Sequence, residues 1–145
     1  ADDAFEAVVS LCVLEHVPAV ESAVSEAARV LKAGGLFVFT VDSLSEPHTP
    51  PAYVAYHREK FYIADFLPAE RIERLLDENG FDAIEWAGIG RNRISGAVLR
   101  LFALRYSVYR WFSPILAATA LLADALGGSE RRGYVLLVAA RKKAP

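Results

Sequence analysis

The chain has 145 residues, of which 54% are hydrophobic, 23% charged and 11% aromatic. That composition suits one globular domain with a real core and excludes a disordered tail, a collagen-like repeat and a coiled-coil rod. Sixteen Lys and Arg against eighteen Asp and Glu leave a net charge of −2, which gives no overall electrostatic reason to bind nucleic acid. The single cysteine, Cys12, cannot form an internal disulfide and calls for no oxidising compartment, so a cytoplasmic protein is expected.

Ala7-Val8-Val9-Ser10-Leu11 is short, apolar and rich in β-branched residues, as in a strand buried on both faces. Val20, Ala23, Val24, Ala27, Ala28 and Leu31 then follow helical spacing, with acids early and bases late. Gly34-Gly35 reads as the cap that stops this helix. Leu36 to Val41 is a second apolar strand. Strand, helix and strand in this order predict a βαβ unit with a parallel pair.

Residues 42–66 read as a long loop broken by Pro47, Pro50 and Pro51 and crowded with His and aromatic side chains. Ile72, Leu75 and Leu76 mark a second amphipathic helix ended by Asn79-Gly80, and Phe81 to Trp86 a third strand. Residues 91–127 predict one or two helices, kinked or broken near Pro114. Tyr134 to Ala140 is the last strand. Within 97–126 the longest charge-free run, Trp111 to Ala123, is too short to cross a bilayer. Val98, Leu101, Phe102, Val108, Tyr109 and Phe112 share one helical face. A helix packed on the sheet, or lining an acceptor cavity, is expected ahead of peripheral membrane contact.

Two segments carry a family resemblance. Phe5-Glu6-Ala7-Val8-Val9-Ser10-Leu11-Cys12-Val13-Leu14-Glu15-His16-Val17 and Val30-Leu31-Lys32-Ala33-Gly34-Gly35-Leu36-Phe37-Val38-Phe39 resemble class I S-adenosylmethionine-dependent methyltransferases. The aromatic stretch from His57 into a helix and Asn79-Gly80-Phe81 is similar to that family's next segment. The resemblance implies an α/β, Rossmann-like methyltransferase fold reduced to strands four to seven, with an antiparallel last strand and a helical insertion at 91–127 before it. The family's Gly-rich cofactor turn has no counterpart here: Gly88 and Gly90 come too late, and Arg93 stands where a third glycine would be needed. The chain is therefore expected to correspond to the C-terminal half of such a domain and, alone, to bind S-adenosylmethionine poorly.

The resemblance also implies site residues. Ser10, Leu11 and Cys12, at the carboxyl end of the first strand, would border the cofactor, and Asp2 and Asp3 in the preceding loop would lie near its adenine. In open α/β sheets ligands sit at the carboxyl ends of strands. His16, just beyond, is the candidate catalytic base. Related quinone-biosynthesis O-methyltransferases hold a divalent metal with a Glu-x-x-Glu-His cluster. Here Cys12 replaces the first Glu, which disfavours a hard cation, and no metal is expected. His48, Tyr53, Tyr56 and His57, in the 42–66 acceptor lid, are the candidate substrate-binding residues. The expected activity is methyl transfer to a small-molecule acceptor, with O-methylation of a ring or quinone-like compound as the leading case. A non-catalytic half-domain and a nicotinamide-dependent oxidoreductase are the alternatives.

Overall fold

The computed structural model describes residues 1–104 and 110–144. Four strands form one sheet in the order β1-β2-β4-β3, from β1 (Phe5–Leu11), β2 (Leu31–Asp42), β3 (Phe81–Ile89) and β4 (Val135–Lys142). β1 and β2 run parallel, with Ser10 opposite Phe39 and Leu11 opposite Thr40. Helix α1 (Val20–Val30) makes the crossover between them. β4 lies antiparallel to both β2 and β3. The βαβ unit and the antiparallel last strand are thus present as expected. β1 lies at the sheet edge, its outer side unpaired among the described residues.

One sheet face is packed and the other is half open. Phe37, Phe39 and Val41 of β2 and Leu136, Val138 and Ala140 of β4 point into a core closed by α1 and by α3 (Ala69–Glu78). Phe37 stacks against Phe39 at 4.7 Å and Phe81 at 5.7 Å. Burying each such ring stabilises the fold by about 1.5–3 kcal/mol. Leu36, Val38 and Thr40 on the opposite face are only half-buried. The expectation of strands buried on both faces therefore fails: β2 alternates with period two, since no described helix covers the second face.

Two other expectations change. α1 ends at Val30, and Leu31 already has extended backbone. Gly34-Gly35 is therefore not the helix cap. It lies in an irregularity of β2 where the register shifts between Phe5 and Ala7. Gly34 has φ +77°, and a Cβ on Gly35 would meet Lys32 O at 2.9 Å, so both positions need glycine. Second, residues 42–66 are not all loop: α2 (Pro51–Phe61) begins on Pro51, and Tyr62, in left-handed conformation, caps it.

Among the described residues, the 91–127 region holds the helices α4 (Arg93–Leu104) and α5 (Ser113–Ala125), with Pro114 in the first turn of α5. The buried carboxylate of Asp124 fastens the pair to β3. It accepts the Gly90 and Arg91 N–H groups at 2.8 Å each and the Ser95 hydroxyl at 2.5 Å. The expected packing of this region on the sheet is only partly met. Ala120 and Ala123 are buried, but Leu101, Phe112, Ile115, Leu121 and Leu122 are exposed. Val108 and Tyr109 of the predicted stripe lie outside the described residues. Among those described, no helix is long and apolar enough to cross a membrane.

Candidate functional site

The carboxyl ends of the parallel strands β1 and β2 lie side by side, and the chemistry-bearing side chains gather there. Cys12 follows β1 with φ +49°. Its N–H donates to Thr40 O and Thr40 Oγ1, both at 3.0 Å, and its Sγ lies 3.4 Å from the same hydroxyl. This tie holds the exit of β1 against β2 and turns the chain into the short 3-10 turn Leu14–His16.

Glu15, in that turn, is 1% exposed. Its Oε1 accepts the Asp42 N–H at 3.1 Å, while its backbone carbonyl accepts the Ala64 and Asp65 N–H groups at 2.9 and 3.1 Å. Its Oε2 is buried without a hydrogen-bond partner. Burial lifts the Glu15 carboxyl above the usual range, the nearby Asp42 carboxylate lifts it further, and backbone N–H donors pull it partly back. Burial likewise raises the Cys12 thiol above its ordinary value, so the neutral S–H is favoured at pH 7. Ligating atoms of Cys12, Glu15 and Asp42 all lie within 4.8 Å of one another.

Asp42 ends β2 and pairs with His57 of α2, Oδ2 to Nε2 at 2.8 Å. His57 is buried, and its Nδ1 lies 3.3 Å from the Tyr53 hydroxyl. Both imidazole nitrogens are thus engaged. His16 is arranged differently. It is exposed, and its Nδ1 lies 3.2 Å from the backbone carbonyl oxygen of Tyr62. A carbonyl only accepts, so Nδ1 carries the proton and the Nε2 lone pair is left to accept one.

The other expected site residues are distributed as follows. Ser10 and Leu11 are at this strand end with Cys12. Asp2 and Asp3 are not: they precede β1 at its amino end, paired with Arg29 and Lys142. The seven-residue strand puts about 20 Å between the two ends. Tyr53 is buried in a small second core with Leu44 and Tyr134, its ring 5.8 Å from that of Tyr134, while Tyr56 packs half-buried beside it. Burial holds the Tyr53 hydroxyl far above the usual phenol range. His48 faces solvent and meets Glu46 Oε1 at 2.7 Å. The sequence reading singles out neither Asp42 nor Glu46. An acid closing an apolar strand run is the signal that marks Asp42. Glu46 is buried between His48 and Arg100, whose Nη1 lies 3.8 Å away, and only the fold brings them together.

Comparison with known proteins places this geometry in a wider group. Residues 1–39 match the family model described as a methyltransferase domain. Among curated proteins none matches the chain. Solved structures share the fold over nearly all of it. Phosphoethanolamine N-methyltransferase 2 of Haemonchus contortus, in complex with S-adenosyl-L-methionine, is 16% identical with a TM-score of 0.64, covering 99% of this chain and 34% of that one. An S-adenosylmethionine-dependent methyltransferase of Mesorhizobium loti is 17% identical with a TM-score of 0.60, covering 98% and 63%. The [4+2]-cyclase SpnF is 20% identical with a TM-score of 0.56, covering 99% and 52%. The chain spans from about a third to under two thirds of the length of these structures. Together the family match and the shared Rossmann-like fold support a class I S-adenosylmethionine-dependent methyltransferase family.

Proposed function

We propose that this chain forms the strand-end half of a methyl-transfer site, acting on a small-molecule oxygen acceptor with S-adenosylmethionine as donor. One observation carries the reading: the carboxyl ends of a parallel strand pair, where open α/β sheets bind ligands, bring together Cys12, Glu15 and Asp42. The orphaned, buried Glu15 oxygen suits the cationic half of such a cofactor, which carries a sulfonium and an ammonium. The glycines do not supply the other half of a cradle. At Gly88, Gly90, Gly128 and Gly133 an added Cβ would meet protein atoms at 2.4–2.7 Å, so they serve close packing of the chain on itself.

In this reading Ser10, Leu11 and Cys12 border the cofactor, largely through backbone groups, and Glu15 with Asp42 supplies negative potential. The cofactor supplies an activated methyl on sulfur, whose carbon–sulfur bond breaks as the new bond to the acceptor oxygen forms. His16 receives the proton of the acceptor hydroxyl on its unoccupied Nε2, with Tyr62 fixing the tautomer. His57 instead holds Asp42 in place, and Tyr56 and His48 line the acceptor side. A ring-bearing phenol or quinol is the acceptor class that an aromatic flank favours.

The test is transfer of labelled methyl from S-adenosylmethionine to a panel of phenols, quinols and amines by the full-length gene product. Transfer to a ring oxygen supports the reading. Transfer confined to amines, or none at all, overturns it.

A further inference from the structure

The helical pair α4–α5 presents an apolar face that neither the sheet nor the strand-end site uses. In α4, Ile94, Ala97, Leu101 and Leu104 recur at the spacing of one helical face, and all four are exposed. In α5, Ile115, Ala118, Leu122 and Ala125 do the same, and Trp111 lies one turn ahead of them. Trp111 is 77% exposed, Ile115 64% and Leu122 70%. A soluble helix turns its apolar stripe inward, and here the inward side of α5 carries Ala120, Ala123 and the fastening Asp124. Exposed large apolar side chains gathered on two neighbouring helices mark an interaction site.

Charge identifies the partner. Residues 91–126 contain five arginines and one acid, Asp124, which is buried, whereas the remainder contains 11 basic and 17 acidic side chains. The helical pair is thus a cationic segment in an otherwise acidic chain, and none of its described residues exposes a carboxylate. Large aliphatic side chains, an exposed tryptophan and an exposed arginine, Arg93, in a segment whose one acid is buried are the features of a helix lying in a lipid–water interface. Neither helix is long enough to span a bilayer.

We infer that the α4–α5 face docks, in the plane of the interface, on a bilayer bearing anionic headgroups. Ile94, Leu101, Ile115 and Leu122 enter the acyl boundary, Trp111 sits at headgroup level, and Arg93 meets lipid phosphates, while Arg91 and Arg100 stay paired with Glu130 and Glu46. This docking does not depend on the methyl-transfer reading, since it needs neither cofactor nor acceptor.

The test is co-sedimentation of the chain with vesicles of phosphatidylcholine alone and vesicles with a third of that lipid replaced by phosphatidylglycerol. Phosphatidylglycerol is expected to raise the bound fraction at least ~10-fold at low salt, and added salt to reduce it. Trp111→Ser with Leu122→Ser, both exposed in the free protein, lowers binding to the anionic vesicles by ~10-fold or more. Arg93→Glu, which leaves the apolar face intact, lowers it by several-fold with an unchanged melting temperature. Arg141→Glu with Lys143→Glu, at the far end of β4, leaves it unchanged. Equal binding to both vesicles, full binding by the Trp111→Ser/Leu122→Ser protein, or a lipid-free dimer dispersed by that pair in place of vesicle binding would overturn the inference.

Discussion

Replacing Glu15 by glutamine is expected to make the protein more stable at neutral pH, although Glu15 sits at the centre of the candidate site. In the wild type Oε1 accepts the Asp42 N–H, but Oε2 is buried with no partner. An unsatisfied buried charged oxygen costs about 1–3 kcal/mol. The Glu15→Gln side chain keeps the acceptor for Asp42 N–H and places an NH₂ where Oε2 stood, with the Asp42 carboxylate nearby to receive it. The expected gain at pH 7 is about 1–2 kcal/mol, or roughly 3–6 °C in melting temperature. Glu15→Ala, which also orphans the Asp42 N–H and leaves a cavity, is expected to lose about 2–4 kcal/mol. The pH dependence follows from the raised carboxyl. The folded state binds the proton more tightly than the unfolded chain, so wild-type stability falls as pH rises from 4.5 through the elevated folded value. Glutamine does not titrate, so the advantage of Glu15→Gln closes near and below pH 4.5 and opens above it. Urea titrations of the three proteins across this range provide the measurement. A Glu15→Gln protein less stable than wild type at pH 7, or a gap that ignores pH, would refute the reasoning.

Three further outcomes are expected. If His16 is the base of the proposed transfer, His16→Ala in the full-length gene product lowers kcat by about 10²–10⁴-fold with KM little changed; steady-state kinetics on the best phenolic acceptor decides it. Gly90→Ala destabilises the chain by about 1–3 kcal/mol in urea, since φ is +74° and a Cβ would meet Leu99 Cδ1 at 2.7 Å. Asp124→Ala removes three hydrogen bonds and frees the α5 end, so amide exchange should accelerate across α4 and α5 while the Phe37–Val41 amides keep their protection.

What the sequence discloses is governed by how strongly each segment follows one period. α1 and α3 have clear apolar stripes, and β2 and β4 are long apolar runs, so their existence and the parallel β1–β2 pairing are readable from residues alone. α2 is not, because Tyr53, Val54, Tyr56 and Phe61 scatter around the helix and the prolines beside it suggest a loop. The start of β2 is hidden because a glycine pair commonly caps helices, and only the β1 neighbour reveals the close approach that Gly35 serves. At the site, Cys12, Glu15 and His16 are legible as a cluster in the chain. Asp42 joins them only through strand pairing, and His57 only through the docking of α2. Leu101 and Phe112 of the expected apolar stripe turn outward where packing on the sheet is expected, since periodicity shows that a stripe exists but not which way it turns.

The position of β4 has a consequence for how the molecule is made. It is the last strand in the chain, yet it lies between β2 and β3 and supplies a hydrogen-bonding edge to each. During synthesis, therefore, Phe81–Ile89 emerges with no described strand to pair with until Val135–Lys142 has left the ribosome. Without those eight residues the parallel β1–β2 pair and an unpaired β3 remain, so a nascent product stalled before them is a substrate for chaperones and proteases.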